Sequence, residues 1–553
     1  MRIGTTPSRL TTDLFCSMTI TLLCAAFMTG CTRVGTQTGP QRARGNPWTV
    51  HGILRTGGTQ VLDNLNPMLG TLGPGVDLGS FWCARLLIYD DHEVLQPELA
   101  LQEPKLENNG ISGDGRTIVY HLRRGVRWHD GKSFTSADVV FSFQQVMNPN
   151  NIIAGRFGYD RVERIDTPNA YTAIVHLKEA FSPFVSNFFT SRCLIPKHIL
   201  QGLATINHAD YNRLPIGTGA FKVAAYEPGV LVRFVANEEY WRGPPRLQEI
   251  DYHFIPSGIT LLTQLRTHEL DFYPRAANEQ TPQFSQIPGT VVYVHPFSAY
   301  YDIGFNMGHP IVNDKRVRQA LIYAIDMVKI MHVATHDVHV RADSNQPPWR
   351  WSHASNLKRY DYDPKLSAEL LDAAGWRVGT NGLRQNHGKP LSLAMVGVTG
   401  NATQNAAQLI IQQNWRSVGI DVSIKNVPTS VMYALGVGIL QAGEFDIAFE
   451  AVRQNADPDG LRFYGCHMAP PKGWNVYHYC NEAVDHDETI ALSSYDRRIR
   501  KVAYDRIQRA LLEDLPFYVL WFDRDQDIAN SDFRGYRPGT TSSSFWNVWD
   551  WSI

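Results

Sequence analysis

The stretch from Leu391 to Val427 constrains the fold more than any other part of the chain. Leu391 to Val396 is an apolar run that predicts a strand, and Thr403 to Val418 predicts a helix. Apolar and other residues then alternate from Ile420 to Ile424, as in a second strand. A strand, a helix and a strand in this order form a parallel pair with a right-handed crossover. The sequence therefore predicts an α/β protein.

Strands and helices also alternate along the rest of the chain, without an internal repeat. Each expected element combines an apolar pattern with turn or capping residues. The expected elements are a strand over Thr117–Leu122, a helix over Ser133–Val146 with a cap at Thr135, a hairpin of Ala220–Tyr226 and Val230–Val235, helices over Asp314–Ile330 and from Asp363 to Gly375, a strand over Phe445–Val452, a helix over Ser494–Glu513 and a strand over Pro516–Phe522. This pattern predicts a multi-lobed α/β protein.

Size and charge narrow the class of protein further. At about 150 residues per domain, a chain of 553 residues corresponds to three or four domains, or to two large ones. The formal net charge is only −1, so electrostatics gives no reason to expect nucleic acid or an acidic membrane as a partner. No apolar run reaches the roughly 18 residues that a membrane-spanning helix needs.

The first thirty residues have the features of an export signal. A mostly apolar stretch from Phe15 to Met28 follows a weakly basic start and precedes the small residues Thr29 and Gly30. Small residues directly before Cys31 resemble a bacterial lipoprotein cleavage site. We therefore expect a signal peptide over residues 1–30, a lipid on Cys31 and a flexible tether over residues 31–44. The alternative is a simple cleaved signal peptide in which Cys31 has no role.

Four of the seven cysteines lie beyond the expected signal and anchor, at Cys83, Cys193, Cys466 and Cys480. Four cysteines allow three pairings. Cys466 and Cys480 enclose a short loop rich in Gly, Pro and aromatic residues, which favours a disulfide between them in an oxidising compartment. A zinc site is the weaker alternative because no CxxC motif accompanies the pair. Cys83 lies in an apolar stretch and is expected to be a buried thiol.

Motifs of several common enzyme classes are absent from the sequence. The chain has no GxxxxGK[ST] phosphate loop, no GxSxG nucleophile elbow and no HExxH zinc motif. His332, His336 and His339 have spacings that could place metal ligands on one helical face, but a polar loop is the favoured interpretation. Asp457 and Asp459 resemble the start of a calcium loop, which a proline interrupts. We therefore expect no catalytic residues, no metal site and no cofactor.

The block from Ser112 to Phe143 resembles the signature region of a known family. Its sequence, SGDGRTIVYHLRRGVRWHDGKSFTSADVVFSF, is similar to that of the bacterial extracellular solute-binding proteins of the peptide/nickel class. Further blocks follow in the order of that family, namely Leu65-Asn66-Pro67, Gly217-Thr218-Gly219, the NEEYW run from Asn237 to Trp241, and Asp457-Pro458-Asp459. Several blocks in the same order indicate the resemblance to this family more strongly than any single block does.

The resemblance implies a periplasmic-binding-protein type II fold with two lobes, a hinge and an additional domain inserted in lobe one. Lobe one is expected to comprise residues 45–80, 216–295 and 520–553, the additional domain residues 81–215, and lobe two residues 296–519. Such proteins enclose a solute between their lobes outside the membrane and deliver it to an ABC permease and its ATPase. The implied protein is monomeric, lipid-anchored and periplasmic or on the cell surface. An exported enzyme, and a sensor or chaperone lipoprotein with the same cleft, are the alternatives.

The family positions also imply which residues line the cleft between the lobes. The expected lining residues are Thr71, Leu72, Gly73, Trp82, Tyr300, Arg453, Gln454, Asn455 and Asp457, with Tyr301, Trp349 and Trp351 as further aromatic candidates. Dipeptide and oligopeptide binders of this family hold the amine of the ligand with an Asp a few residues before the Pro of the DP or EP motif. Four residues before Pro458, this chain has Gln454. A neutral amide cannot make the charge-assisted bond.

The class of ligand therefore stays open from the sequence. The stretch from Gly397 to Gln404 also lacks the Arg with which dipeptide binders pair the carboxylate of the ligand. Aromatic rings combined with amides would suit a sugar or a modified peptide. A peptide-like solute and an oligosaccharide are both retained as candidates.

Overall fold

The largest β-sheet of the protein is a mixed sheet of eleven strands to which distant parts of the chain contribute. The structure is a computed structural model that describes residues 45–62, 64–69, 73–153, 155–434, 436–540 and 543–553. The expected signal peptide, the lipid site Cys31 and the tether over residues 31–44 lie outside the described residues, as do Thr71 and Leu72.

The strands of the described residues fall into this large sheet and three small ones. In chain order they are β1 (Ile53–Gly58), β2 (Leu87–Tyr89), β3 (Leu95–Pro97), β4 (Thr117–His121), β5 (Val162–Asn169), β6 (Thr172–Leu177), β7 (Phe221–Glu227), β8 (Leu231–Ala236), β9 (Glu249–Phe254), β10 (Phe272–Tyr273), β11 (Thr290–Phe305), β12 (Val340–Arg341), β13 (Arg377–Val378), β14 (Arg384–Asn386), β15 (Lys389–Pro390), β16 (Ser392–Val398), β17 (Asp421–Val427), β18 (Ile447–Arg453) and β19 (Phe517–Asn530).

Helices cover the sheets and connect their strands. They are α1 (Gly73–Trp82), α2 (Ser136–Met147), α3 (Phe184–Asn187), α4 (Lys197–Leu200), α5 (Gly258–Arg266), α6 (Thr281–Phe284), α7 (Lys315–Tyr323), α8 (Met327–Val333), α9 (Pro364–Ala373), α10 (Ala402–Ser417), α11 (Thr429–Met432), α12 (Ile439–Ala442), α13 (Leu461–Tyr464), α14 (Glu482–Ser493) and α15 (Arg497–Asp514). None of these described helices combines the length and the apolar character that a membrane crossing requires.

Two long antiparallel strands, β11 and β19, lie at the middle of the large sheet. The strand order is β17-β16-β18-β11-β19-β10-β1-β9-β8-β7, and β12 pairs with β19 as a branch. One end of β11 pairs with both β18 and β19, while its other end pairs with β19 beside β10. The register with β19 shifts between Pro296 and Tyr300, which marks a bulge. These two strands therefore connect the two halves of the sheet.

Separate hydrophobic cores lie against the two halves. Strands β1, β7, β8 and β9 pack with α1 and the C-terminal segment in one core, which contains Phe81 and Trp551. Strands β16, β17 and β18 pack with α7, α8 and α10 in another, which contains Leu321 and Trp415. A third core, around Trp128, joins β4, β5 and β6 to α2. Each core excludes water from a different region of the chain, as expected for a multi-lobed protein.

The predicted crossover unit is confirmed. Strands β16 and β17 are parallel, with residue pairs in register from Ser392 opposite Asp421 to Val398 opposite Val427. Helix α10 connects them, and the side chain of Asn401 caps it by accepting a hydrogen bond from the Gln404 amide at 2.9 Å. The predicted hairpin is also confirmed, as the antiparallel pair β7 and β8.

The single helix predicted over Asp314–Ile330 is wrong, because the chain forms two helices there. Helix α7 ends at Tyr323 and α8 begins at Met327. Between them, Asp326 accepts a hydrogen bond from the Lys329 amide at 3.0 Å and acts as a second N-cap. The apolar repeat continues across this break, so periodicity alone did not reveal it.

Two of the sequence blocks meet around one histidine. The backbone of Gly217 accepts a hydrogen bond from the His129 amide at 2.9 Å, and the Gly217 amide donates one to His129 Nδ1 at 3.1 Å. The other ring nitrogen, Nε2, lies 3.1 Å from the Gly219 carbonyl. Burial lowers the pKa of His129 to about 4, so the ring is neutral and has one donor and one acceptor. Gly217 is needed because a Cβ there would lie 1.8 Å from the Trp82 carbonyl oxygen.

Disulfides account for the four cysteines beyond the expected anchor. Cys466 and Cys480 are joined, with their Cα atoms 4.3 Å apart. The prediction of a buried thiol at Cys83 is wrong, because Cys83 is joined to Cys193 across 110 residues of sequence. Cys83 is buried as expected, but burial of a cysteine does not distinguish a thiol from a disulfide. This second bridge ties the end of α1 to the segment before α4.

A pair of buried acids lies in the half of the sheet that contains β18. Asp302 on β11 and Glu450 on β18 are directly opposite in the antiparallel register, and both are buried. The hydroxyl of Tyr477 donates a hydrogen bond to Glu450 and contacts Asp302 at 3.3 Å. Burial raises the pKa of Glu450 to about 7, and burial together with the neighbouring Glu450 raises the pKa of Asp302. The folded protein therefore retains protons on this pair that the unfolded chain releases.

We predict that this acid pair makes stability fall as pH rises from about 4.5 to about 7. The unfolded chain loses its carboxyl protons near pH 4. In this window the native state therefore binds more protons than the unfolded state, and each group with a raised pKa contributes a loss of about 1.4 kcal/mol per pH unit. Glu450→Gln should flatten this fall, while Glu444→Gln, at an exposed position, should leave it unchanged. Urea denaturation at a series of pH values measures the slope, and an equal slope in the wild type and Glu450→Gln would contradict the prediction.

Candidate functional site

The bulge in β11 forms a polar junction between four segments of the chain. The Ser298 carbonyl accepts a hydrogen bond from the Gln454 amide at 2.8 Å, and the Ser298 amide donates one to the Thr540 carbonyl at 3.2 Å. The Ser298 hydroxyl lies 3.2 Å from the Gln454 carbonyl and accepts a hydrogen bond from Arg350 Nη2 at 3.0 Å. Ser298 therefore joins β11 to the loop after β18, to the C-terminal segment and to the loop around Arg350.

The loop after β18 contains several of the expected ligand-binding residues. Gln454 Nε2 donates a hydrogen bond to the Asn345 carbonyl at 2.6 Å, so its amide also holds a neighbouring loop. Asn455 is exposed. Asp457 is buried and accepts a hydrogen bond from Arg500 at 2.5 Å. Two of these residues, Gln454 and Asp457, thus have intramolecular partners, which were not predicted.

Two arginines approach the ring of Phe297 beside this loop. The guanidinium carbon of Arg275 lies 5.2 Å from the ring centroid, and that of Arg453 lies 5.3 Å from it. Arg275 is also paired with Asp77 at 2.6 Å and with Asp525 at 3.2 Å. The bulge therefore carries two cations at one ring, an arrangement whose attraction comes from the negative face of the aromatic system.

Two cavities open on this part of the molecule. One cavity, of about 450 Å³, lies beside β2 and β3. Its wall includes Glu93, Trp349, Trp351, Asp457 and Arg500. The other, of about 300 Å³, lies beside β11 and β19 and is lined by residues that include Arg275, Tyr301, His339, Asn401 and Asp525. Volumes of this size suit small organic ligands.

The remaining expected residues are less accessible than the sequence suggested. Trp82 is only 1% exposed and stacks on Phe234, with ring centroids 5.8 Å apart, in the core that contains Phe81 and Trp551. Tyr300 is buried, with its ring edge-on to Phe522. Gly73 begins α1. A ring at the end of a helix that packs on a sheet has no free face for a ligand, so the structure gives Trp82 a packing role.

Sequence comparison identifies the family. The profile described as bacterial extracellular solute-binding proteins, family 5 Middle, matches residues 94–467. The chain belongs to this family. Two similar relatives are oligopeptide-binding protein AppA of Bacillus subtilis, 25% identical over 80% of this chain and 82% of AppA, and di/tripeptide-binding protein 2 of Pseudomonas aeruginosa, 25% identical over 82% of this chain and 88% of that protein.

Solved structures share the fold of this solute-binding protein. NikZ from Campylobacter jejuni in complex with Ni(L-His) is 24% identical, with a TM-score of 0.77 over 91% of this chain and all of that one. AppA from Bacillus subtilis in complex with a nonapeptide is 23% identical, with a TM-score of 0.75 over 90% and 98% of the two chains. The predicted fold class, with two lobes and a hinge, is confirmed.

Three contributors to the junction of this solute-binding protein were not predicted from sequence, namely Arg275, Ser298 and Arg350. Arg350 is buried, and its Nη2 also lies 3.4 Å from Glu93 Oε1. Its Nε and Nη1 are buried without a hydrogen-bond partner among the described residues. Arg350 lies between Trp349 and Trp351 in the sequence. Those two aromatic residues were the only feature of that stretch that indicated a binding site. None of the three belongs to a motif, because their importance comes from contacts between segments far apart in sequence.

The histidines considered as metal ligands do not form one cluster. His332 is exposed and lies 2.9 Å from Asp337, whereas His339 is buried, with its ring stacked 6.1 Å from that of Trp521. Nδ1 of His339 accepts a hydrogen bond from the Arg524 amide at 3.1 Å. Helix α8 ends at Val333, so these side chains are not on one helical face.

We predict that Asp77 stabilises the junction of this solute-binding protein through its charge. Asp77 is buried, pairs with Arg275 and accepts hydrogen bonds from the Ser543 hydroxyl at 2.9 Å and the Ser544 amide at 3.2 Å. Asp77→Asn removes the negative charge and should lower the free energy of unfolding by about 3 kcal/mol. Chemical denaturation monitored by tryptophan fluorescence measures the change.

Asp421→Asn is the matched control for this prediction. Asp421 pairs with Arg416 at 2.5 Å, but both side chains are at least half exposed, so the loss should stay below about 1 kcal/mol. Equal losses in the two variants would contradict a special role of Asp77.

Proposed function

We propose that this solute-binding protein is the substrate-binding component of an ABC importer and that it captures peptide-like solutes between its lobes. The relatives named as oligopeptide-binding and di/tripeptide-binding proteins, which match along most of their length, support this assignment. The single observation that carries it is the polar junction at Ser298 within a family 5 fold. It brings the loop after β18, the C-terminal segment and the hinge strand together at one point. The protein acts by binding and release and needs no catalytic step.

In this proposal the lobes have the ranges expected from sequence, with residues 45–80, 216–295 and 520–553 in lobe one and residues 296–519 in lobe two. The additional domain comprises residues 81–215. Closure of the lobes around the hinge encloses the solute, and the ABC permease and ATPase receive it. The protein works as a monomer outside the cytoplasmic membrane, held by a lipid on Cys31 after removal of residues 1–30.

A peptide-like solute is favoured over an oligosaccharide by the state of the aromatic rings. Trp351 has the guanidinium carbons of Arg497 and Arg500 5.1 and 5.2 Å from its centroid. Trp349 lies edge-on to Phe522, and Trp82 is in a core. Sugar recognition relies on open aromatic faces. Trp82 offers none, and Trp351 is already engaged by two guanidinium groups. Charged groups, in contrast, are numerous around the junction.

We predict that the native protein carries short peptides when it is purified gently from its own host. Native mass spectrometry of residues 32–553 should detect complexes with bound masses in the range of short peptides. The same protein after unfolding and refolding in clean buffer should lose those masses, which controls for covalent modification. A bound sugar would overturn the assignment of a peptide as the solute. A bound metal chelate would also overturn it, but would leave the protein a solute-binding protein of the same family.

A protein that is empty after purification calls for a second measurement. Peptide mixtures should then raise the melting temperature, because a ligand that binds only the native state stabilises it. A melting temperature that peptides leave unchanged and a disaccharide raises would contradict the proposal.

A further inference from the structure

Arg453 is the cation at the lobe junction whose charge has no partner within the described residues. It is the last residue of β18 and lies opposite Ala299 in the bulged part of β11. Its contact with Phe297 is a cation–π contact, and within the described part of the chain it makes no ion pair and no side-chain hydrogen bond. The side chain is exposed, and Arg275, which shares the Phe297 ring with it, lines the cavity of about 300 Å³.

The acids that lie nearest to Arg453 are already engaged. Asp77 and Asp525 attract Arg453, but both form ion pairs with Arg275. Asp77 accepts two further hydrogen bonds, from Ser543 and Ser544. Protein packed around Arg453 and the positive charge of Arg275 lower its pKa, which means that the environment does not compensate this cation. An anion bound at Arg453 would therefore be stabilised more strongly than an anion bound at an ordinary surface arginine.

The position of Arg453 is also fixed by its surroundings. The strand pairing between β18 and β11 holds its backbone, and Gln454, directly after it, is held by Ser298 on one side and by Asn345 on the other. The ring of Phe297 holds the guanidinium in place while the donor groups around its edge stay available. A planar guanidinium presented in this way matches the two oxygens of a carboxylate.

We propose that Arg453 determines the specificity of the cleft by binding a carboxylate of the ligand. This inference rests on the proposed function and deepens it, because it assigns an anionic group to the part of the ligand that faces the end of β18. Gln454 is neutral, so this position suits an anion rather than the ammonium group of a peptide. The carboxylate could belong to a peptide C-terminus or to an amino acid that chelates a metal ion.

The test compares ligands that differ only in their terminal charges. An equimolar library of tripeptides is prepared in four forms: unmodified, N-acetylated, C-amidated, and capped at both ends. Isothermal titration calorimetry measures binding of each form to residues 32–553, and the complex of nickel with L-histidine serves as the second carboxylate source. The proteins are the wild type, Arg453→Gln, Arg453→Lys and Arg462→Gln.

Arg462→Gln is the matched control, because Arg462 is also an exposed arginine over a phenylalanine ring. Its guanidinium carbon lies 4.9 Å from the centroid of Phe463, on α13 and outside the bulge. It therefore controls for the loss of one positive charge and one cation–π contact. Arg453→Lys retains the charge without the planar fork and should keep only part of the preference.

The expected result is a preference of about tenfold to hundredfold for forms with a free carboxylate, as one charge-assisted interaction provides. This preference should weaken as salt is added, disappear in Arg453→Gln and persist in Arg462→Gln. N-acetylation should change the affinity much less than C-amidation.

Several results would overturn the inference. It fails if free and amidated peptides bind equally, or if the preference survives in Arg453→Gln. Binding of the nickel complex alone would overturn the peptide assignment but would support the role of Arg453 if Arg453→Gln weakens it by a similar factor. If the wild type binds neither the peptides nor the nickel complex, the proposed function fails, and the inference fails with it.

Discussion

The antiparallel pairing of β11 with β19 is the interaction on which the rest of the structure depends. The two strands pair from Thr290 opposite Asn530 to Gly304 opposite Phe517, at the middle of the large sheet. The ladder is interrupted where β11 contains Pro296, which has no amide hydrogen to donate. Backbone groups that leave a ladder must find other partners if water does not reach them. Ser298 does so by bonding to Gln454 and Thr540, and this local requirement brings the segments of the candidate site together.

Acidic side chains on β19 add further contacts to its pairing with β11. Asp525 is paired with Arg275, and Asp527 accepts hydrogen bonds from His295 at 2.7 Å and from the Arg275 amide at 2.8 Å. The pKa of His295 is raised, because the attraction of Asp527 outweighs the effect of burial. Arg275 then reaches Asp77 on α1. These contacts hold β19, the start of β11 and α1 together on one side of the bulge.

Much of the fold could be predicted from sequence, because it follows from local patterns. The unit from β16 to β17, the hairpin of β7 and β8 and the helix after Thr135 each combine an apolar pattern with a cap or a turn within a short window. The continuation of β19 beyond Phe522 was missed, because the sequence DRDQD is too charged to suggest a buried strand. Two of those acids, Asp525 and Asp527, pair with Arg275 and His295, which are more than 200 residues away in sequence. The partner of Cys83 was missed for the same reason.

The candidate site shows the same division between local and distant information. The resemblance to a family pointed to the loop from Arg453 to Asp457, but no local pattern distinguished residues that face a ligand from residues that hold the loop. The structure separates them by their side-chain partners. Gln454 and Asp457 have bonds to Asn345 and Arg500, whereas the only side-chain partner of Arg453 among the described residues is the ring of Phe297. Residues of the first kind fix the shape of the loop, so the charge at its remaining position can change without disturbing the hinge. In the proposed function, the side chain at the end of β18 can therefore differ between solutes while the contacts that hold the loop stay the same.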